Sequence, residues 1–165
     1  MTYLENKNLL DERQFAFRKG KGTGAYFSNL AELLDQALKD DLHIDLAALD
    51  ISKAYNRVWR HGATRSFSVA VGSVLSKEFE EQNGVPQGSV LAVSLFLVTM
   101  QSVFNVVTEN VHVFVYADDI LLVVIGRTPG LLRIRLQAAV RAVAKWCATV
   151  WFSNGVGKMF NLTYL

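Results

Sequence analysis

Apolar residues at Phe27, Leu30, Leu34 and Leu38 recur at spacings of three and four, which predicts a helix with these residues on one face and Glu32 and Asp35 off it. Thr23 stands where it can cap that helix. Ile44 to Ile51 reads as a buried strand, interrupted by Asp45 and ended by Asp50, and a short helix is predicted to follow through Trp59. Phe67, Val69 and Val71 alternate with smaller residues, and Gly72-Ser73 offers a two-residue turn into a second strand. A glycine and proline loop at Gly84 to Gly88 leads into an apolar block from Val90 to Val107, expected to be one helix. Val111 to Val115 and Ile120 to Val124 are β-rich runs separated only by Tyr116, Ala117, Asp118 and Asp119, the pattern of a tight hairpin with acids at its tip. Pro129 opens a long helix with Leu132, Leu136, Val140, Val143 and Cys147 on its apolar face and Arg133, Arg141 and Lys145 on its polar one. Helix, strand, hairpin, helix, hairpin, helix gives an α+β domain.

With 165 residues, 51% hydrophobic and 19% charged, the chain is too apolar to be disordered and long enough for one core. The uncharged stretch from Gly84 to Thr108 raises the question of a membrane span. Ser94, Gln101 and Asn105 answer it, because their spacings of seven and four form one narrow polar stripe on a helix, which favours a buried core helix. No charged N-terminal region followed by an apolar run and a cleavage site is present, so the expectation is an intracellular protein that is not secreted. The single cysteine, Cys147, reads as a small core hydrophobe. A net charge of +2 says little, but Arg13, Arg18, Lys19 and Lys21 concentrate cations in a loop interleaved with Phe15 and Phe17 and rich in glycine.

Two unit charges about 4 Å apart repel by roughly 4 kcal/mol at an effective dielectric near 20, so adjacent acids at the tip of a buried hairpin need a reason. A divalent cation removes that penalty. Magnesium uses few protein carboxylates and completes its shell with water and phosphate oxygens, and Asp50, ending another apolar strand, is the natural partner for Asp118. From spacing alone a second reading stands equally well, in which Asp118 and Asp119 are a polar turn and Asp50 starts a helix.

Read in order, LDISKAYNRVW around Asp50, NGVPQGSVLAVSLF from Asn83 and VYADDILL around Asp118 closely resemble the consecutive motifs of reverse transcriptases, in wording similar to jockey-type non-LTR retrotransposons. QFAFRKGKGT from Gln14 resembles the fingers motif that precedes them. The resemblance implies a polymerase palm with an antiparallel sheet flanked by helices over residues 44–165, and part of the fingers over residues 1–43. It implies Asp50 and Asp118 as ligands of two Mg2+ ions, with Mn2+ as a substitute, and Asp119 in support. Tyr55 resembles the aromatic steric gate against a ribonucleotide 2′-hydroxyl. Gly84, Pro86, Gln87, Gly88 and Ser89 resemble the loop that packs on the incoming nucleotide and template base. Arg18 matches the fingers arginine that meets the triphosphate, with Lys19 and Lys21 near backbone phosphates. Lys158, seven residues after Trp151, matches a lysine expected to protonate pyrophosphate. The implied partners are an RNA template, a DNA primer, a dNTP and the remainder of a retroelement polyprotein, with no membrane.

The chain departs from the family pattern in places. Ala16 and Trp151 stand where glycine is usual, Asn56 replaces a second acid, and Trp59 is followed almost directly by Arg65, as though a block had been deleted near Thr64. Two other functions compete. A P-loop reading of Gly20, Lys21, Gly22 and Thr23 fails because the residue five before Gly20 is Phe15 and Lys21 is followed by glycine. A vestigial, non-catalytic palm that still binds nucleic acid is compatible with every motif.

Overall fold

The protein is described here by a computed structural model covering residues 2–51, 54, 65–81, 90–151 and 160–164. The expectations for Tyr55, the helix through Trp59, Thr64, the loop from Gly84 to Ser89 and Lys158 lie outside the described residues. Among those described, four long strands form one antiparallel sheet: β1 (His43–Ile51), β6 (His112–Tyr116), β7 (Asp119–Gly126) and β8 (Phe160–Tyr164), in the order β6-β7-β1-β8. The expected α+β class is therefore found, with the acidic hairpin formed by β6 and β7.

Strand alternation sorts the sheet's side chains onto two faces. One face carries Ala47, Leu49, Val113, Val115, Ile120, Leu122 and Val124, all buried. It packs on α3 (Val90–Met100) and α4 (Pro129–Trp151), with Phe96, Leu97, Met100, Leu132, Leu136, Val143 and Trp146 filling the layer between. The other face carries Ile44, Leu46, Phe114, Leu121 and Val123 and is covered by α2 (Thr23–Lys39), which follows the short N-terminal helix α1 (Thr2–Asn6). The cysteine lies in the first layer as expected, where burial pushes its thiol up to about 12.

Tertiary packing corrects three local expectations. Thr23 is the first residue of α2 and Gly22 occupies the cap with no side-chain hydrogen bond, so Thr23 is not the cap. The buried stripe of α2 runs through Tyr26, Leu30, Leu33, Leu34 and Ala37, whereas Phe27 and Leu38 are exposed. The helix is rotated because the aromatic Tyr26 fits between Phe15, Phe114 and Tyr116, at ring centroid distances of 5.5, 5.9 and 6.1 Å. Its C-terminus closes in a Schellman turn: Asp41 takes a left-handed φ of 53°, and Leu42 N–H donates to Ala37 C=O at 2.9 Å.

The third correction concerns the apolar block. The α-helix ends at Met100 and tightens into a 3-10 turn over Gln101–Asn105, so the stripe through Ser94, Gln101 and Asn105 does not stay on one face. Its polar groups act separately: Gln101 Oε1 accepts from Asp11 N–H at 2.9 Å, and Ser102 Oγ accepts from Trp146 Nε1 at 2.8 Å. Among the described residues no helix is long and apolar enough to cross a membrane. The remaining strands are short hairpin pairs, β2 (Arg65–Phe67) with β5 (Phe79–Glu81) and β3 (Ala70–Val71) with β4 (Val74–Leu75), the latter turning through Gly72 at φ 62° as its sequence predicts.

Candidate active site

Register is what assembles the acids. β1 and β7 pair antiparallel with Asp50 directly opposite Asp119, and β6 and β7 pair with Tyr116 opposite Asp119. Directly opposed residues point to the same face, so Asp50, Asp119 and Tyr116 share the face covered by α2. Asp118 sits in the two-residue turn itself, where its carbonyl accepts from Ile51 N–H at 3.4 Å. Asp119, rather than Asp118, is thus the direct cross-strand neighbour of Asp50. Beside these acids opens a cavity of about 430 Å3 lined by Thr23, Tyr26, Phe27, Asp50, Tyr116 and Asp119, among others.

The carboxylates strain against one another. Partial burial, and after it the charge of Asp50, raises Asp118 above its ordinary value, although its own backbone works the other way. Asp119, which is exposed, is raised by partial desolvation and then by the charges of Asp118 and Asp50. Burial, with the Asp119 charge nearby, also lifts the Tyr26 phenol. An excess of negative charge at an open strand end, made of oxygen donors only, suits a hard divalent cation. Among the described residues no three His, Cys, Asp or Glu side chains are gathered so as to hold a metal ion by themselves. A cation here would need water or substrate phosphate oxygens to complete its shell, which is magnesium's usual habit.

The turn is conformationally costly. Ala117, its first residue, has φ 56°, a left-handed backbone that costs an alanine roughly 1–2 kcal/mol. Gln14, which the residue pattern did not mark as functional, lies against it, fully buried. A polar residue between Arg13 and Phe15 gives no periodic signal, and only the folded chain shows its bonds.

The basic loop is less available than its sequence suggests. The Arg18 side chain is 6% exposed, pairs with Glu5 at 2.8 Å and donates to Asp11 C=O at 2.6 Å. Lys21 bonds Glu12 and lies 5.3 Å from the Phe15 ring centre, while Lys19 is exposed. Ala16, in place of glycine, is buried at an ordinary φ, and the left-handed residue is instead Phe17 at 59°. The Arg18 hydrogen bond, chiefly, holds Glu5 below its ordinary value of 4.5. Because the folded value is the lowered one, this stabilisation is complete above pH 4.5 and is lost as pH falls through the folded value. Arg18→Met should cost about 1.5–3 kcal/mol in urea unfolding and flatten that acid step, since a charged hydrogen bond is removed while the apolar stem stays. An unchanged acid profile would show that the pair contributes nothing.

An α+β layout with carboxylates gathered at one end of its central strand pair is a polymerase-palm arrangement. Residues 1–156 match the family model for reverse transcriptase (RNA-dependent DNA polymerase), and the chain belongs to that family. Among named relatives, it is similar to the RNA-directed DNA polymerase from mobile element jockey of Drosophila melanogaster, 28% identical over 196 residues, covering 95% of this chain and 21% of that protein. The jockey polymerase of Drosophila funebris is 25% identical over 191 residues, covering 99% of this chain and 21% of its own. The probable RNA-directed DNA polymerase from transposon BS of Drosophila melanogaster is 25% identical over 171 residues, covering 87% of this chain and 19% of its own. The chain spans about a fifth of the length of these relatives. All three alignments run longer than the 165-residue chain, so each relative carries residues with no counterpart here.

Proposed function

We propose that this chain is the palm (residues 44–165) with part of the fingers (residues 1–43) of an RNA-directed DNA polymerase from a non-LTR retroelement. It would join a dNTP to a DNA primer 3′-hydroxyl on an RNA template. The observation that carries this reading is the strand register that brings Asp50 and Asp119 together beside Asp118 in a reverse transcriptase chain. Asp50 and Asp118 would hold magnesium, and Asp119 would add negative charge beside them. A pair of magnesium ions supplies activation of the attacking hydroxyl and charge neutralisation at the leaving pyrophosphate. Tyr116 and Tyr26 wall the cavity beside the acids. Lys19 is exposed for backbone phosphate, whereas Arg18 would have to exchange Glu5 for a triphosphate. Tyr55, Pro86, Gln87, Gly88 and Lys158 keep the roles that the motifs imply.

A second reading, a non-catalytic palm of a decayed element, draws support from the relatives' additional residues; we place the missing block at the seam near Thr64. Phosphoryl transfer rests on positioning, and misplacement by about 1 Å can cost about a hundredfold. Extension of a labelled DNA primer on an RNA template with magnesium separates the two. The expected result is extension at least about a hundredfold weaker than that of a full-length relative, and abolished by Asp118→Asn. Extension indifferent to Asp118→Asn would reject the site, and duplex binding with no extension would establish the non-catalytic reading.

A further inference from the structure

We propose that Gln14 is a positioning residue for the aspartate hairpin, holding the left-handed Ala117 in place so that Asp118 and Asp119 stay aimed at the site. The functional consequence rests on the metal-binding reading above, but the structural argument does not. Gln14 is fully buried, and a buried primary amide must find partners for both its ends. Its Oε1 accepts from Ala117 N–H at 3.3 Å and from Ala16 N–H at 3.1 Å, while Nε2 donates toward Ala117 C=O at 3.5 Å. One side chain thus engages both polar groups of the residue whose backbone is strained.

The surrounding backbone braces Gln14 in turn. Phe15 N–H donates to Val115 C=O and Val115 N–H to Arg13 C=O, each at 2.9 Å, so residues 13–15 run alongside β6 at the sheet edge. The Gln14 amide continues that pairing past the end of β6 into the turn. A two-residue hairpin with positive φ at its first central position ordinarily takes glycine there. Alanine persists because the turn is held from outside. Glutamate lacks the donor and would bury a charge; methionine has the shape but neither hydrogen-bonding end.

Amide hydrogen exchange and Mn2+ binding, followed by electron paramagnetic resonance, test this on the wild type, Gln14→Met, and Gln14→Met combined with Ala117→Gly. In Gln14→Met, exchange at Ala117, Asp118 and Asp119 should accelerate about tenfold or more relative to Leu122 and Val123, and the Mn2+ dissociation constant should rise about tenfold. Adding Ala117→Gly should restore the protection of Asp118 and Asp119 and most of the Mn2+ affinity, because glycine accepts positive φ without strain, while the amide of residue 117 stays fast for want of the Gln14 acceptor. A residue that only fills the core would loosen the whole sheet uniformly and would not be rescued by glycine at 117, and either result overturns the proposal. If Gln14→Met does not fold, the wild type still decides: Gln14 side-chain amide protons should exchange more slowly than those of the exposed Gln36 and Gln137 and show through-space contacts to Ala117. Fast exchange at Gln14 would overturn it. A wild type that ignores Mn2+ would sink the metal reading alone, since the exchange pattern reads the hairpin without metal.

Discussion

Asp118→Asn should raise the melting temperature of the metal-free protein and remove the further rise that Mg2+ or Mn2+ gives the wild type. Both halves come from the cost of holding a charge partly buried and beside other carboxylates. Asp118 and Asp119 are raised above the ordinary aspartate value of 3.8 by desolvation and by neighbouring carboxylates. With raised folded values the folded state binds more protons than the unfolded one. Metal-free stability from these groups is therefore greatest below pH 3.8, falls as pH rises through the folded values, and is flat above them. Asparagine keeps the shape and removes one charge, and each kcal/mol of that cost relieved should appear as about 2–4 °C. A cation offsets the same cost in the wild type, and at a hundred times its dissociation constant contributes about 2.7 kcal/mol, or about 5–10 °C. Differential scanning fluorimetry in EDTA and in each metal reads both. Equal metal shifts in wild type and variant would remove Asp118 from the site, and a lower melting temperature for the variant in EDTA would contradict that cost.

Phe96→Ala should remove about 3–5 kcal/mol of stability, while Leu91→Gln, five residues earlier on the same helix, should leave stability within about 0.5 kcal/mol of the wild type. Phe96 is fully buried between the sheet and α4, whereas Leu91 is 64% exposed. Truncating a buried phenylalanine costs about 3–5 kcal/mol, against about 5–15 kcal/mol for a whole domain. Leu91, Leu95 and Val98 form an exposed apolar stripe at spacings of four and three, which is expected to make the chain self-associate, and Leu91→Gln should weaken that association in sedimentation velocity. Urea unfolding gives the stabilities. If Leu91→Gln destabilised as much as Phe96→Ala, the orientation of α3 would be wrong.

Local pattern carried much of this protein. Two apolar β-rich runs, Val111 to Val115 and Ile120 to Val124, with only four residues between them determined the hairpin and its acidic tip, because a gap that short leaves room for nothing but a tight turn. Gly72 announced its turn, since the positive φ there suits glycine. The buried face of α4 followed from its spacing, which a long helix satisfies over many turns. The motifs around Asp50 and Asp118 pointed to a reverse transcriptase, and the family match agrees.

What tertiary structure alone decided depends on partners distant in sequence. The face α2 buries was set by the rings of Phe15, Phe114 and Tyr116 meeting Tyr26, and a spacing rule that accepts Phe27 equally well cannot see them. The helix ending at Met100 is of this kind, because bonds to Gln101 and Ser102 come from Asp11 and Trp146. So is Arg18, whose charge a motif aims at phosphate and the fold spends on Glu5. Pairing Asp50 with Asp119 required the register of β1 against β7, fixed by which side chains the two flanking layers could bury. Gln14 is the furthest case: 103 positions separate it from Ala117, and a hydrogen bond across that distance leaves no periodicity for a sequence to display.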